Sequence, residues 1–490
     1  MADVASSDKS ADRLGLGLKL SYGSGQAVDA VVQAAVGSFL LFYLTAVCGI
    51  SGTAAGGVFL ASLVIDGLLD PYIGRLSDHW RSRWGRRLPF MVCALAPLCV
   101  SLGLMFSLPL NLSPAMLVAY VLSLNIVLRV SLSVFALPHS ALTAELTDDY
   151  SERSSVSAYR AVFIVIGTAA ALLPAFTLIF SGHDGLQSRS AYPWLGVLTA
   201  SLVAFFGLTC VIGAHKAILR LPLPQNAGEG GDSGFLGELL QLFRNPSFVP
   251  LFVGAVLVLV GQGLTNSLNL HVFRFFWKLP ESAMQLPLLV LPIGMLIGTA
   301  GAGLLMRRME KRDGVMLAVI VLSVYLGGLT VAGLAGLVPP GSTLATSLVV
   351  GNGLIFGICG AMCFVCFYSM IADAVDEHDH LFGVRREALY AAALMLGAKA
   401  ATGLGSFLAG TGLELVGFPS SSSAPVTVTP ATATGLVLLW GPGSALLFLS
   451  ALPLFRRYRI DRAHHAHLVE SLSERRTQQS ASGQLEPNPR

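Results

Sequence analysis

DGLLDPYIGRLSDHWRSRWGRRLP, residues Asp66 to Pro89, begins inside a long apolar segment and ends in a cluster made of Arg81, Arg83, Arg86 and Arg87. Asp66 and Asp70 are four residues apart, so on a helix both carboxylates project from one face, one turn apart. Acids in a bilayer-crossing helix are costly and must face a polar interior or a bound cation. The competing reading is a soluble helix with two surface acids. The preceding run GVFLASLVI argues against it, and the stretch reads as part of a polytopic membrane transporter.

Composition agrees. The 490 residues are 54% hydrophobic and only 12% charged, about half the charged fraction of a soluble globular protein. The formal net charge of +3 is small, and no basic tract points to a nucleic-acid partner. The seven cysteines, at 48, 93, 99, 210, 359, 363 and 366, lie in apolar stretches, which is small-hydrophobe usage and not a disulfide framework. Cys359, Cys363 and Cys366 have no histidine nearby, so no metal site is expected. The first twenty residues are polar and acidic as well as basic, unlike a signal peptide.

A span needs roughly 20 apolar residues. Twelve can be drawn, near 22–48, 53–76, 89–109, 115–142, 158–181, 191–214, 248–271, 283–306, 315–337, 343–372, 388–417 and 432–455. Basic residues favour one side: Lys9, Arg13 and Lys19, the four arginines after span 2, then Arg307, Arg308, Lys311 and Arg312, and the tail. The opposite loops hold Arg189, Arg274 and Lys278, so both termini are expected to be cytoplasmic. The polar stretch containing PLPQNAGEGGDSG divides the spans six and six. GRLSDHWRSRWGRR after span 2 has a faded counterpart, GLLMRRMEKRDG, after span 8, as parallel repeats would.

The expected plan is therefore an all-α polytopic membrane protein, with twelve transmembrane helices in two six-helix bundles and a major facilitator fold. Its parts are a cytoplasmic N-terminus (1–20), a first bundle (21–214), a linker (215–247), a second bundle (248–455) and a cytoplasmic tail (456–490). The expected location is the inner or plasma membrane.

Four blocks carry a family resemblance: LSYGSGQAVD opening span 1, the Asp66–Pro89 stretch, LPHSALTAELTDDYSERSSVSAYR, and ADAVDEHDHLFGVRREALYAAALMLGAKAATGLG. On these the chain resembles the glycoside–pentoside–hexuronide:cation symporters, the major facilitator branch that contains melibiose permease. The third block is also similar to the animal sodium-dependent lysophosphatidylcholine symporters. The resemblance implies a coupling-cation site at Asp66 and Asp70, with Ser133 and Lys399 close by. Hard oxygen ligands suit Na⁺, and a lone lysine in an apolar span requires a counter-ion. A purely structural ion pair is the alternative. No cofactor is expected beyond the coupling Na⁺ or H⁺.

Sugar recognition departs from the pattern. Melibiose-type members place an aspartate and a tryptophan two residues either side of Pro138, where this chain has Ala136 and Ser140. Ala30 stands where a sugar-binding acid is usual, with Asp29 next to it. Arg129 sits in mid-span 4, and Ser133, Ala136 and Ser140 follow on its face. A guanidinium there either binds an anionic substrate group or pairs permanently with Asp29 or Asp66. Arg160 matches a family arginine near the sugar. His139, beside Pro138, reads as a helix-kink partner more than a proton carrier, although it joins Asp29, Arg129 and Arg160 as a candidate substrate contact.

Asp78, Arg83 and Arg86 resemble the major facilitator loop after span 2, and Glu145, Arg153, Asp373, Arg385 and Arg386 are expected in other cytoplasmic loops. Pairs among them would latch the halves in one state and part in the other; topology charge accounts for most of them otherwise. The function expected is cation-coupled symport of a small organic solute, a glycoside, uronide or amphipathic anion such as a lysolipid. The partners are that solute and membrane lipid. An intramembrane prenyltransferase using Asp373, Asp376 and Asp379 with the Asp66/Asp70 pair is the competitor from another class, and a non-transporting receptor of the same fold is another. Oligomeric state, flux direction and the choice between Na⁺ and H⁺ stay open.

Overall fold

The structure, a computed structural model, describes residues 14–109, 111–147, 149–181, 185–219, 235–420 and 426–483; Lys9, Arg13 and residues 220–234 of the expected linker lie outside them. Every regular element among the described residues is helical. Helix α1 (Leu16–Ala35) continues through π-turns at Val36–Leu40 and Tyr43–Val47. It is followed by α2 (Gly52–His79), α3 (Leu88–Met105), α4 (Pro114–Glu145), α5 (Tyr150–Pro174) and α6 (Tyr192–Ile218). The short α7 (Phe235–Leu242) precedes α8 (Phe248–Phe275), α9 (Glu281–Leu305), α10 (Lys311–Leu334), α11 (Thr343–Phe382) and α12 (Glu387–Leu415). The run Pro430–Arg456 comprises α13 (Pro430–Leu438), a π-turn, α14 (Ser444–Ser450) and α15 (Leu452–Arg456), and α16 (Arg462–Gly483) ends the described chain.

Eleven helical runs are long and apolar enough to cross a membrane, α2 to α6, α8 to α12 and Pro430–Arg456. The segment expected as the first span is not among them; it comprises α1, which carries Lys19, Gln26 and Asp29, and the two π-turns. The surface is apolar where a soluble protein's would be polar. Ile212 is 71% exposed, Leu446 69% and Val324 67%, while polar groups such as Asn125, His271 and Asp66 are buried, as expected when lipid surrounds the bundle.

Helix starts follow from capping. Ser51, Ser113, Asp149 and Ser342 each accept a hydrogen bond from the backbone N–H three residues on, opening α2, α4, α5 and α11. Gly383 closes α11 at φ +72°, a left-handed conformation suited to glycine.

Helices α1, α5 and α6 pack together, α3 packs on α4 and α6, and α2 on α4; α8 packs on α12 and α14, and α11 on α9 and α10. The principal contact between these two sets is α2 against α12. Small residues permit it: a Cβ on Gly56 would lie 2.8 Å from the Phe407 Cα, and one on Gly403 3.1 Å from the Leu60 Cα. Toward the start of α2 the sets also meet through Thr45 and the His271 ring (2.8 Å), and through the Glu414 carboxylate, which accepts from Thr53 N–H at 3.1 Å.

Candidate functional site

The α2–α12 contact brings Lys399 between the two aspartates. Its Nζ lies 2.6 Å from Asp66 Oδ2 and 2.6 Å from Asp70 Oδ2, and it donates to Ser133 Oγ at 3.2 Å. Ser133, on α4, in turn donates to Asp66 Oδ1 at 2.8 Å. All four residues expected at the cation site thus meet, from three helices. Asp66 is buried, whereas the Asp70 side chain keeps 15% exposure and that of Lys399 26%. Asp70 Oδ1 is buried without a hydrogen-bond partner among the described residues. Two acids and one lysine sum to −1, so the cluster has a carboxylate oxygen and one unit of charge to offer a cation.

The cluster faces a cavity of about 370 Å³ also lined by Gln26, Asp29, Arg129, Ala136, His139, Ser140 and Arg160. The face read from Arg129 through Ser133, Ala136 and Ser140 is therefore the cavity face of α4. A second cavity of about 320 Å³ shares Asp29, Gln33, Leu63, Arg129 and Thr402 with it. A third cavity, of about 980 Å³, lies elsewhere, between Phe176 and Arg274, and none of the candidate cation, substrate or gating residues lines it.

The candidate substrate residues are held differently from one another. Arg160 grips Gln26 Oε1 at 2.7 and 3.2 Å and donates to Thr143 Oγ1 at 3.0 Å. The His139 ring stacks on Tyr22 with centroids 4.4 Å apart, its Nε2 is 2.9 Å from the Tyr22 carbonyl, and the Tyr22 hydroxyl donates back to the His139 carbonyl. It clamps α1 to α4 beside Pro138, in keeping with a kink partner. Asp29 accepts from Gln33 at 3.5 Å. Arg129 is 6% exposed, its Nε has no acceptor, and it forms no ion pair among the described residues. The permanent pair with Asp29 or Asp66 is not formed.

Of the charges expected in loops, Arg83, Arg86, Arg385 and Arg386 are there, and the other four sit on helices. Asp78 lies in α2, Glu145 ends α4, Arg153 lies in α5 and Asp373 is well inside α11. Each of these charges finds a partner close by. Arg87 meets Asp78 at 2.5 Å and Glu145 at 2.8 Å and donates to Ser77 Oγ at 2.9 Å. Arg86 meets Glu145 at 2.7 Å, Arg153 donates to the Thr147 carbonyl at 2.8 Å, and Arg83 lies 6.0 Å from the Trp84 ring centroid. Lys311 meets Asp373 at 2.7 Å, and Arg385 meets Asp376 at 2.8 Å and Glu387 at 2.5 Å. Outside the spans, the Glu387 hydrogen bond followed by the Asp376 charge raises the Arg385 guanidinium pKa above its ordinary value.

Gln26 and Thr143 were not singled out in the sequence, and Arg87 and Lys311 were read there only as part of the basic clusters. Arg87 had one usable signal, its place directly before the Leu88–Pro89 start of α3; Gln26 and Thr143 had none.

A bundle of apolar helices enclosing an acid–lysine cluster and a polar cavity is an arrangement that a membrane transporter requires. Residues 21–462 match the family described as MFS/sugar transport protein, and the chain belongs to it. It is 26% identical to an uncharacterized symporter, sll1374, of Synechocystis sp., over 95% of this chain and 98% of that protein. It is 24% identical to the isoprimeverose transporter of Lactiplantibacillus pentosus, over 91% and 89% respectively. The fold is shared with the solved nucleoside transporter NupG, at TM-score 0.60 and 16% identity, over 90% of this chain and 98% of that one. The prenyltransferase reading finds no support: the family is one of transporters, and Lys311 and Arg385 occupy Asp373 and Asp376.

Proposed function

We propose that this chain is a cation-coupled symporter of a small organic solute, working by alternating access at the cavity behind Asp66 and Asp70. The observation that carries the reading is the Lys399 ammonium seated 2.6 Å from both carboxylates. Lys399 acts as an internal counter-ion. A coupling Na⁺ or H⁺ enters the net-negative cluster, releases Lys399 from one or both acids, and shifts the population toward the solute-competent state. Departure of the cation restores the lysine contacts and completes the cycle.

The rest of the expected plan supports this reading. Twelve spans result if α1 and its π-turns form the first, and the packing of α1–α6 and of α8–α15 fits two six-helix bundles joined near 215–247. The basic helix ends around Arg87 and Lys311 would face the cytoplasm, together with both termini.

The test is a thermal-shift screen of purified protein against glycosides, uronides and lysolipids, with and without Na⁺ and at two pH values. Hits are then assayed for gradient-driven uptake into proteoliposomes. The expected result is a solute whose stabilisation and uptake both require the cation. Turnover of a solute with no cation requirement for either would reject symport.

A further inference from the structure

The charges lining the cavity are balanced, and the balance constrains the solute. Three carboxylates, Asp29, Asp66 and Asp70, face three cationic side chains, Arg129, Arg160 and Lys399. Fully ionised, they sum to zero. Lys399 is committed to Asp66 and Asp70, and Arg160 to the neutral Gln26 and Thr143.

Arg129 breaks the pattern. It is 6% exposed, it forms no ion pair among the described residues, and its Nε has no acceptor. A desolvated guanidinium that feels the charges of Asp66 and Asp29 but has neither carboxylate in contact is incompletely compensated. It also stands where the two cavities meet, beside Asn266 and Ser267 and the apolar Phe59, Ile164, Leu288 and Met295 of the second.

Resting on the symport reading above, we infer that the solute carries one negative charge, a carboxylate or phosphate ester, which Arg129 holds while the coupling cation is bound. One monovalent cation takes the cavity from zero to +1, and a monoanion returns it to zero. Either charge bound alone is uncompensated in a low-dielectric interior, so each raises the affinity for the other, and the effect is reciprocal. A neutral solute lacks this coupling. Arginine suits the task because its planar fork meets two oxygens at once.

The test uses purified full-length protein and two matched pairs of probes: phenyl glucuronide with phenyl glucoside, and lysophosphatidylglycerol with monoacylglycerol. Melting is followed in sodium or choline chloride and at two pH values, for the parent, Arg129→Gln and Arg129→Lys. At least one anionic probe should stabilise the parent, more strongly with the cation, while its neutral partner does not. The responding pair tells whether the anion belongs to a sugar acid or a lysolipid.

Arg129→Gln should weaken that anion about ten- to a hundred-fold, the range for a lost hydrogen bond to a charged group, and Arg129→Lys should lose less. Because Arg129→Gln leaves the cavity one charge more negative, its melting should respond to the cation at lower concentration than the parent's. A neutral probe equalling its anionic partner, unchanged anion affinity in Arg129→Gln, or an anionic set that stabilises nothing overturns the inference. Failure of Arg129→Gln to fold passes the same comparison to Arg129→Lys. A parent indifferent to both Na⁺ and pH would instead remove the symport reading itself.

Discussion

Lys399 is one positive charge shared by two carboxylates, and removing it should expose their repulsion. In Lys399→Ala the acids are uncompensated until a cation binds. Its side chain is 26% exposed, so the loss is discounted from that of a fully buried pair, to about 1–3 kcal/mol without Na⁺. Saturating cation should return about 2–3 kcal/mol, the linkage expected near a hundredfold excess over the dissociation constant. Melting of Lys399→Ala should therefore depend on Na⁺ or acid more steeply than melting of the parent. An unchanged response would show that Lys399 is uncoupled from the pair. Spacing in the sequence revealed Asp66 and Asp70, because i, i+4 is a property of one helix. Lys399, 333 residues from Asp66, was reachable only through the family resemblance, since no local pattern encodes a contact between helices. Arg87 was hidden for a related reason. Four arginines crowd the loop, and which one turns inward depends on where Ser77 and Glu145 arrive.

Helix α2 does its work through its contact with α12, and that contact depends on glycine. A side chain at Gly56 runs into the Phe407 backbone at 2.8 Å, whereas one at the adjacent Gly57 meets nothing within 4 Å. Gly56→Leu should separate the helices, pull Lys399 from the aspartates and abolish uptake; Gly57→Leu should retain most of it. Equal effects of the two in proteoliposome uptake would deny that the α2–α12 approach matters. Most helices were legible from apolar runs, because lipid demands them. The span drawn near 343–372 covers only part of helix α11. It continues to Phe382 because Lys311 and Arg385 satisfy its acids, information that hydropathy does not contain. The segment drawn as the first span is helix α1 followed by two π-turns, and no periodicity announces π winding.

Across the molecule, the two sets of helices meet through Thr45 and His271 and through Thr53 and Glu414 toward one end. Toward the other, Arg87 with Asp78 and Glu145, Lys311 with Asp373 and Arg385 with Asp376 each stay within one set. The proposed cycle would part the contacts between the sets at one end and form others at the opposite end. The repeat of basic motifs after spans 2 and 8 made the division into sets legible. Their mutual contacts were not, since they join residues hundreds of positions apart. The central claim is that Asp66 and Asp70 couple solute movement to a cation. The most direct measurement compares parent, Asp66→Asn and Asp70→Asn in proteoliposomes, using the first solute the screen identifies, for accumulation against a gradient and for exchange at equilibrium. The account predicts that both variants lose accumulation while exchange of solute continues; accumulation at the parent's level in both, collapsing as before when an ionophore dissipates the cation gradient, would contradict it.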